Sequence, residues 1–95
     1  MRESLKRYVQ RLNSRKFTNN VQRVLYRLLV DSEENGWVPT RSLRVSCADS
    51  RVRDLRKPEY GAFRVQCRRD KGVTSYRLTV RDLTVARLRT VFRNA

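Results

Sequence analysis

The feature that most constrains this chain is a change in the spacing of its apolar residues at Gly61. Before Gly61, apolar residues recur three or four positions apart, which is typical of amphipathic helices. After Gly61, apolar and polar residues alternate, which is typical of half-buried strands. Because 95 residues allow one modest domain, we expect residues 1–95 to form a single α+β domain.

The helical spacing is clearest in the central segment, which predicts the spine of the core. Its apolar positions are Val21, Val24, Leu25, Leu28 and Leu29. Cap-forming residues at 18–20 precede this helix, and the acidic sequence at 31–36 is expected to end it. An additional N-terminal helix is expected over 2–16, with a narrower stripe formed by Leu5, Tyr8, Val9 and Leu12.

Two shorter helices are expected between the central helix and Gly61. Thr40 is predicted to cap the first of them, over 41–45. A tight turn then leads to the second, over 48–57, whose inward residues are Val52 and Leu55.

The alternating region predicts a β-hairpin followed by a last helix. The inward positions of its two strands are Phe63, Val65 and Cys67, then Tyr76, Leu78 and Val80. The residues at 69–72 are expected to form the turn between the strands. Asp82 is predicted to cap a C-terminal helix over 82–93, with an apolar stripe at Val85, Leu88 and Phe92.

This order of elements is that of a winged helix-turn-helix, with a three-helix core and a β-hairpin wing. The motifs that support it are Gly-Trp-Val-Pro-Thr at 36–40, Ser-Arg-Val-Arg-Asp-Leu-Arg-Lys-Pro-Glu-Tyr-Gly at 50–61, Phe-Arg-Val-Gln-Cys-Arg-Arg at 63–69 and Ser-Tyr-Arg-Leu at 75–78. In these motifs the chain resembles the small winged-helix proteins of phages and mobile elements, over about 20–79. The resemblance implies a DNA-binding regulator of transcription, and the flanking helices lie outside it.

The charge of the chain indicates a polyanionic partner. There are 23 Lys and Arg residues against 9 Asp and Glu, giving a net charge of +14, and most of the cations are arginine. RNA and single strands are held by exposed aromatic rings. Four of the aromatic residues are instead expected in the core or at turns: Trp37, Tyr60, Phe63 and Tyr76. The sequence therefore favours duplex DNA over RNA.

The helix over 48–57 carries the candidate base-reading residues. With Val52 and Leu55 facing inward, its outward face presents Ser50, Arg53, Asp54 and Lys57, flanked by Arg51 and Arg56. Arg53 is the candidate for reading guanine, since bidentate contact of arginine with guanine is the commonest specific contact. For Asp54, an ion pair within the helix is favoured over contact with cytosine.

Other basic residues are expected to contact the DNA backbone or the minor groove. Arg68, Arg69 and Lys71 belong to the predicted wing, and Arg64 and Arg77 are outward on its strands. Thr40 and Arg41 open a helix whose N-terminus suits a phosphate. The predicted DNA-contacting set is therefore Thr40, Arg41, Ser50, Arg51, Arg53, Arg56, Lys57, Arg64, Arg68, Arg69, Lys71 and Arg77.

The sequence argues against several other functions. It contains no histidine, and Cys47 and Cys67 are expected to be small buried hydrophobes. We therefore predict no metal site, no cofactor and no catalytic residue, although Ser50 and Tyr8 are nucleophile types. No segment approaches a membrane span and no signal peptide is visible, so we expect a cytoplasmic protein, in the bacterial host if the chain is phage-encoded.

The sequence leaves two alternative functions and the packing of the flanking helices open. The first alternative to a regulator is an excisionase-like factor that bends DNA for a recombinase. The second is a winged-helix interaction module that docks on an acidic host protein. The flanking helices must also bury their stripes, either within one chain or, as is slightly favoured, in a two-fold homodimer on a palindromic site.

Overall fold

The computed structural model describes residues 3–79 and 83–93, and it confirms an α+β chain. In the described part, four α-helices pack with a three-stranded antiparallel sheet of order β1-β3-β2. The elements are α1 (Glu3–Arg11), α2 (Asn20–Asn35), β1 (Val38–Pro39), α3 (Ala48–Leu55), β2 (Val65–Asp70), β3 (Val73–Leu78) and α4 (Val85–Val91). Short 3-10 helices lie at Ser14–Lys16, Thr40–Leu43 and Pro58–Tyr60.

The central helix α2 is the spine of the core, as its apolar spacing predicted. Val24, Leu25, Leu28 and Leu29 are fully buried, and the sheet and α3 pack against them. The predicted capping cluster is confirmed, because the side-chain Oδ1 of Asn19 accepts a hydrogen bond of 2.9 Å from the backbone N–H of Gln22. This cap fixes where the chain enters α2.

The flanking helices bury most of their apolar stripes within the chain, and Tyr8, Leu12 and Val85 are half-buried. Leu5 of α1 and Leu88 of α4 are nearly inaccessible, and both belong to the same core cluster as α2. The side-chain Nε2 of Gln22 donates a hydrogen bond of 2.8 Å to the carbonyl of Val91. The rings of Phe17 and Phe92 lie 5.4 Å apart. Most of each stripe is thus covered within one chain, and the two-fold homodimer stays a prediction.

The bounds of the flanking helices differ from those expected. The helix predicted over 2–16 ends at Arg11, and Asn13 then caps a separate 3-10 helix by accepting a hydrogen bond from the N–H of Arg15. The last helix begins at Val85, where the side chain of Thr84 accepts a hydrogen bond from the N–H of Arg87. The predicted cap Asp82 and the predicted strand residue Val80 lie outside the described residues.

The short helices also end earlier than their sequence patterns indicate. The helix expected over 41–45 is a 3-10 helix that stops at Leu43, because Arg44 adopts a left-handed conformation with φ 55°. The helix α3 ends at Leu55 rather than at Lys57. The hairpin is tighter than expected, since only Lys71 and Gly72 separate its strands. Within the described residues, no helix is long and apolar enough to cross a membrane.

Candidate nucleic-acid interface

One face of α3 lies against α2 and the other faces outward. Ala48, Val52 and Leu55 are buried in the core, whereas Arg53 is exposed. No hydrogen bond or ion pair joins the side chain of Arg53 to another described residue. The half-buried Ser50 lies one helical turn before Arg53. The structure therefore leaves a small hydroxyl and an unpaired guanidinium on the outer side of this helix.

The ion pair predicted for Asp54 is confirmed. Its carboxylate oxygens lie 3.3 Å from Nε of Arg51 and 3.1 Å from Nζ of Lys57. The contact with Arg51 is electrostatic, since Arg51 Nε makes no hydrogen bond with a described residue. The two cations partly neutralise the charge of Asp54. The carboxylate therefore repels a negatively charged ligand at Arg53 only weakly.

A buried tyrosine connects the sheet to the start of α3. The hydroxyl of Tyr76 in β3 donates a hydrogen bond to Oδ1 of Asp49, in the first turn of α3. Burial and the neighbouring Asp49 carboxylate raise the pKa of Tyr76, so its hydroxyl remains a donor at neutral pH. This contact sets the position of the hairpin relative to the outer face of α3.

Strand alternation decides which hairpin residues lie on the α3 side. In the β2–β3 ladder Cys67 pairs with Tyr76 and Arg69 with Thr74, so Arg69 shares the face from which Tyr76 reaches α3. Lys71 occupies the hairpin tip with φ 51°, followed by Gly72 with φ 79°. Positive φ at both turn residues matches the twist of a two-residue hairpin.

Arg68 and Arg77 lie on the opposite face of the sheet, with Trp37. Their guanidinium carbons are 4.5 and 4.6 Å from the centroid of the Trp37 ring. The Nε of Arg77 also donates a hydrogen bond of 2.9 Å to Oε1 of Gln66. The prediction that Trp37 is a core residue is wrong: Val38 pairs with Tyr76, so the preceding residue faces the other side and is only half-buried.

The remaining predicted contacts have local partners or lie elsewhere on the surface. Thr40 does not cap a helix: Pro39 occupies that position, and the Thr40 hydroxyl donates a hydrogen bond of 3.0 Å to the carbonyl of Thr74. Arg56 donates a hydrogen bond of 2.8 Å from Nη2 to the carbonyl of Val65. Arg41 and Arg64 are exposed. That Arg41 and Arg64 lie on the same surface as the outer face of α3 stays a prediction from the sequence.

Both cysteines are exposed, so the expectation that they are buried is wrong. Cys67 does follow the inward alternation of its strand. However, β2 extends beyond the core, and all residues of β2 after Val65 are exposed. Cys47 sits in the turn before α3 in a left-handed conformation with φ 56°. The half-buried Tyr60 and the buried Phe63 and Tyr76 agree with the predicted inward or turn positions.

Sequence reasoning missed one basic groove. A cavity of about 390 Å³ between α2 and the 3-10 helix at Thr40–Leu43 is lined by Arg23, Arg27, Arg44 and Tyr26, among others. Arg23 and Arg27 are one helical turn apart and lie outside the apolar stripe of α2. This spacing is the feature of the sequence that could have indicated a basic surface on α2. Arg44 comes from a different element, so only the fold brings it to the groove.

The described residues contain no group of three or more side chains suited to hold a metal ion. A scan against protein-family models, a search of curated proteins and a search of solved structures each found no match.

Proposed function

We propose that this chain is a winged helix-turn-helix protein that binds duplex DNA with α3 in the major groove. The observation that carries the proposal is the unpaired Arg53 on the outer face of α3, beside a hairpin whose Arg69 lies on the α3 side. The Tyr76–Asp49 hydrogen bond holds these two elements together. The order of helices, the sheet and the net charge of +14 also support it.

In this proposal the basic residues have different roles. Arg53 reads a guanine edge, and Ser50 allows the helix to approach the groove closely. Arg69 and Lys71 contact the DNA backbone, which positions the protein without carrying sequence information. Arg41 adds a phosphate contact at the start of its 3-10 helix. We propose a phage or mobile-element regulator of transcription, for which a footprint should fall on a promoter and not on a recombination attachment site.

The division of roles is tested with two variants on duplexes selected from a random pool. Arg53→Ala should cost about 1–3 kcal/mol of binding free energy on the preferred site and relax the preference at one base pair. Arg69→Ala should weaken binding to all duplexes to a similar extent. An Arg53→Ala protein with an unchanged sequence preference would remove α3 as the reader.

The electrostatic basis is tested by a salt titration of wild-type binding. Each neutralised phosphate should add about 0.9 to the slope of log K against log salt concentration. We expect the slope to fall by about one unit in Arg69→Ala. A nearly flat response would contradict backbone contact by the hairpin.

A further inference from the structure

The sheet face that carries Trp37 presents two guanidinium groups that form no ion pair with an acidic side chain in the described part of the chain. Since both contact one ring, the guanidinium carbons of Arg68 and Arg77 lie within about 9 Å of each other. The polar side chain bonded to Arg77 is the neutral Gln66, and no ion pair joins either arginine to a described carboxylate. Asp70 shares this face by strand alternation, but it makes no ion pair with Arg68 or Arg77.

This arrangement suits an anionic ligand. Two like charges at this separation repel each other, and contact with an aromatic face offsets only part of that cost. The ring also restricts both side chains, so less conformational entropy is lost when their planar N–H forks bind a carboxylate. The face is therefore prepared for acidic groups, on the side of the sheet opposite to the one that meets α3.

The strand beside these arginines has a free edge. In the order β1-β3-β2, one side of β2 has no strand neighbour within the described residues. Thr79 donates a backbone hydrogen bond to the carbonyl of Arg64, which sets the alternation of the ladder. By that alternation Cys67 and Arg69 direct their backbone N–H and C=O groups away from β3. The corresponding carbonyl of Val65 is already bonded to Arg56.

We propose that this edge binds an extended acidic segment of a partner protein, which adds as a further strand beside β2. Its backbone pairs with that of Cys67 and Arg69, and its carboxylates, two residues apart, face the Trp37 side near Arg68 and Arg77. A nucleic-acid backbone has no N–H and C=O groups to pair with the strand, which favours a polypeptide. A second copy of this strand is disfavoured because arginines would meet arginines.

Trp37 is the only tryptophan of the chain and reports directly on this face. The probe is a short peptide in which Glu alternates with Thr, titrated into the full chain while tryptophan emission is followed. We expect a saturable change in emission. The double variant Arg68→Gln/Arg77→Gln should bind the peptide about tenfold more weakly, since two charge-assisted contacts are lost. Its base preference in duplex DNA should equal that of wild type, because neither arginine lies on α3.

Arg53→Gln is the matched control, because its side chain lies on the outer face of α3 and not on the sheet. It should weaken duplex binding and leave the peptide affinity unchanged. Wild-type protein saturated with duplex should still bind the peptide. These readouts separate the two proposals, since peptide binding does not depend on Arg53 and the base preference of duplex binding does not depend on Arg68 or Arg77.

Three outcomes would overturn the inference. The first is a peptide that causes neither an emission change nor heat in calorimetry. The second is equal binding of a peptide that is N-methylated at every residue, which has no backbone N–H to donate and cannot add as a strand. The third is a short oligothymidine that binds more tightly than the peptide and loses that affinity in the Arg68→Gln/Arg77→Gln variant, which would make the face a nucleic-acid surface. Circular dichroism of each variant verifies that it is folded.

Discussion

Gln22 links the segment before α2 to the end of α4, and its removal should destabilise the whole molecule. This α2 side chain is 4% exposed. Its Oε1 accepts a hydrogen bond of 2.7 Å from the N–H of Thr18, and its Nε2 donates one of 2.8 Å to the carbonyl of Val91. Val91 ends α4, where carbonyls have no partner within the helix. Gln22→Ala deletes both bonds, and also a longer one of 3.5 Å from the Thr18 hydroxyl to the same Oε1, without lowering helix propensity.

The magnitude follows from the two lost bonds and the groups left behind. Each bond contributes about 0.5–1.5 kcal/mol, and a buried carbonyl without a partner costs about 1–3 kcal/mol. Water entering the space of the deleted side chain offsets part of this, so we expect a loss of about 2–4 kcal/mol of unfolding free energy. For a domain of this size that lowers the Tm by roughly 10–25 °C.

The assay is urea unfolding followed by two probes. Far-UV circular dichroism reports on the helices, and the emission of Trp37 reports on the sheet. Both midpoints should shift together, because α4 shares one core with α2 and the sheet. The matched control Gln10→Ala, at an exposed position of α1, should change stability by less than about 0.5 kcal/mol. An unchanged Trp37 midpoint with a separate loss of helix signal would refute the reasoning.

Three further outcomes are expected. Gly61→Ala should cost about 3–4 kcal/mol in urea unfolding, because φ is 101° and a Cβ would lie 2.8 Å from the Phe63 ring, whereas Gly36→Ala, with no such contact, should cost about 1–2 kcal/mol. Wild-type stability should fall as the pH rises above about 10, where Tyr76 ionises in the unfolded chain but not yet in the folded one, and Tyr76→Phe should remove this part of the loss. A wild-type profile no steeper than that of the variant would contradict it. Sedimentation equilibrium at micromolar concentration should find a monomer, since most residues of the α1 and α4 stripes are buried within the chain; a dimer formed through the half-buried Tyr8, Leu12 or Val85 would contradict this.

The elements that the sequence predicted well are those in which local pattern and burial agree. The five apolar residues of the α2 stripe that were expected inside are all buried. The pairing of Asp54 with Arg51 and Lys57 was also predictable, because residues three apart on a helix are neighbours whatever the rest of the fold does.

Predictions failed where position in the fold overrides residue type. The apolar character of Cys67 indicated burial, but the hairpin carries this strand beyond the core. Trp37 was expected in the core because its place in the sequence indicated an inward or turn position. The pairing of β1 with β3 instead places it on the outer face, where arginines cover it.

The sequence by itself determined the spacing of apolar residues in each segment, and with it the helical spine and the alternating hairpin, because these depend on residues close together in the chain. It also determined the net charge, which is a sum over all residues. The tertiary structure decided how the cations are divided. Arg68 and Arg69 are neighbours in sequence, yet they lie on opposite faces of one strand. Which face meets α3 depends on the hydrogen bond between Tyr76 and Asp49, residues that are 27 positions apart. Such a long-range contact is set by the packing of the whole core, and no local pattern encodes it.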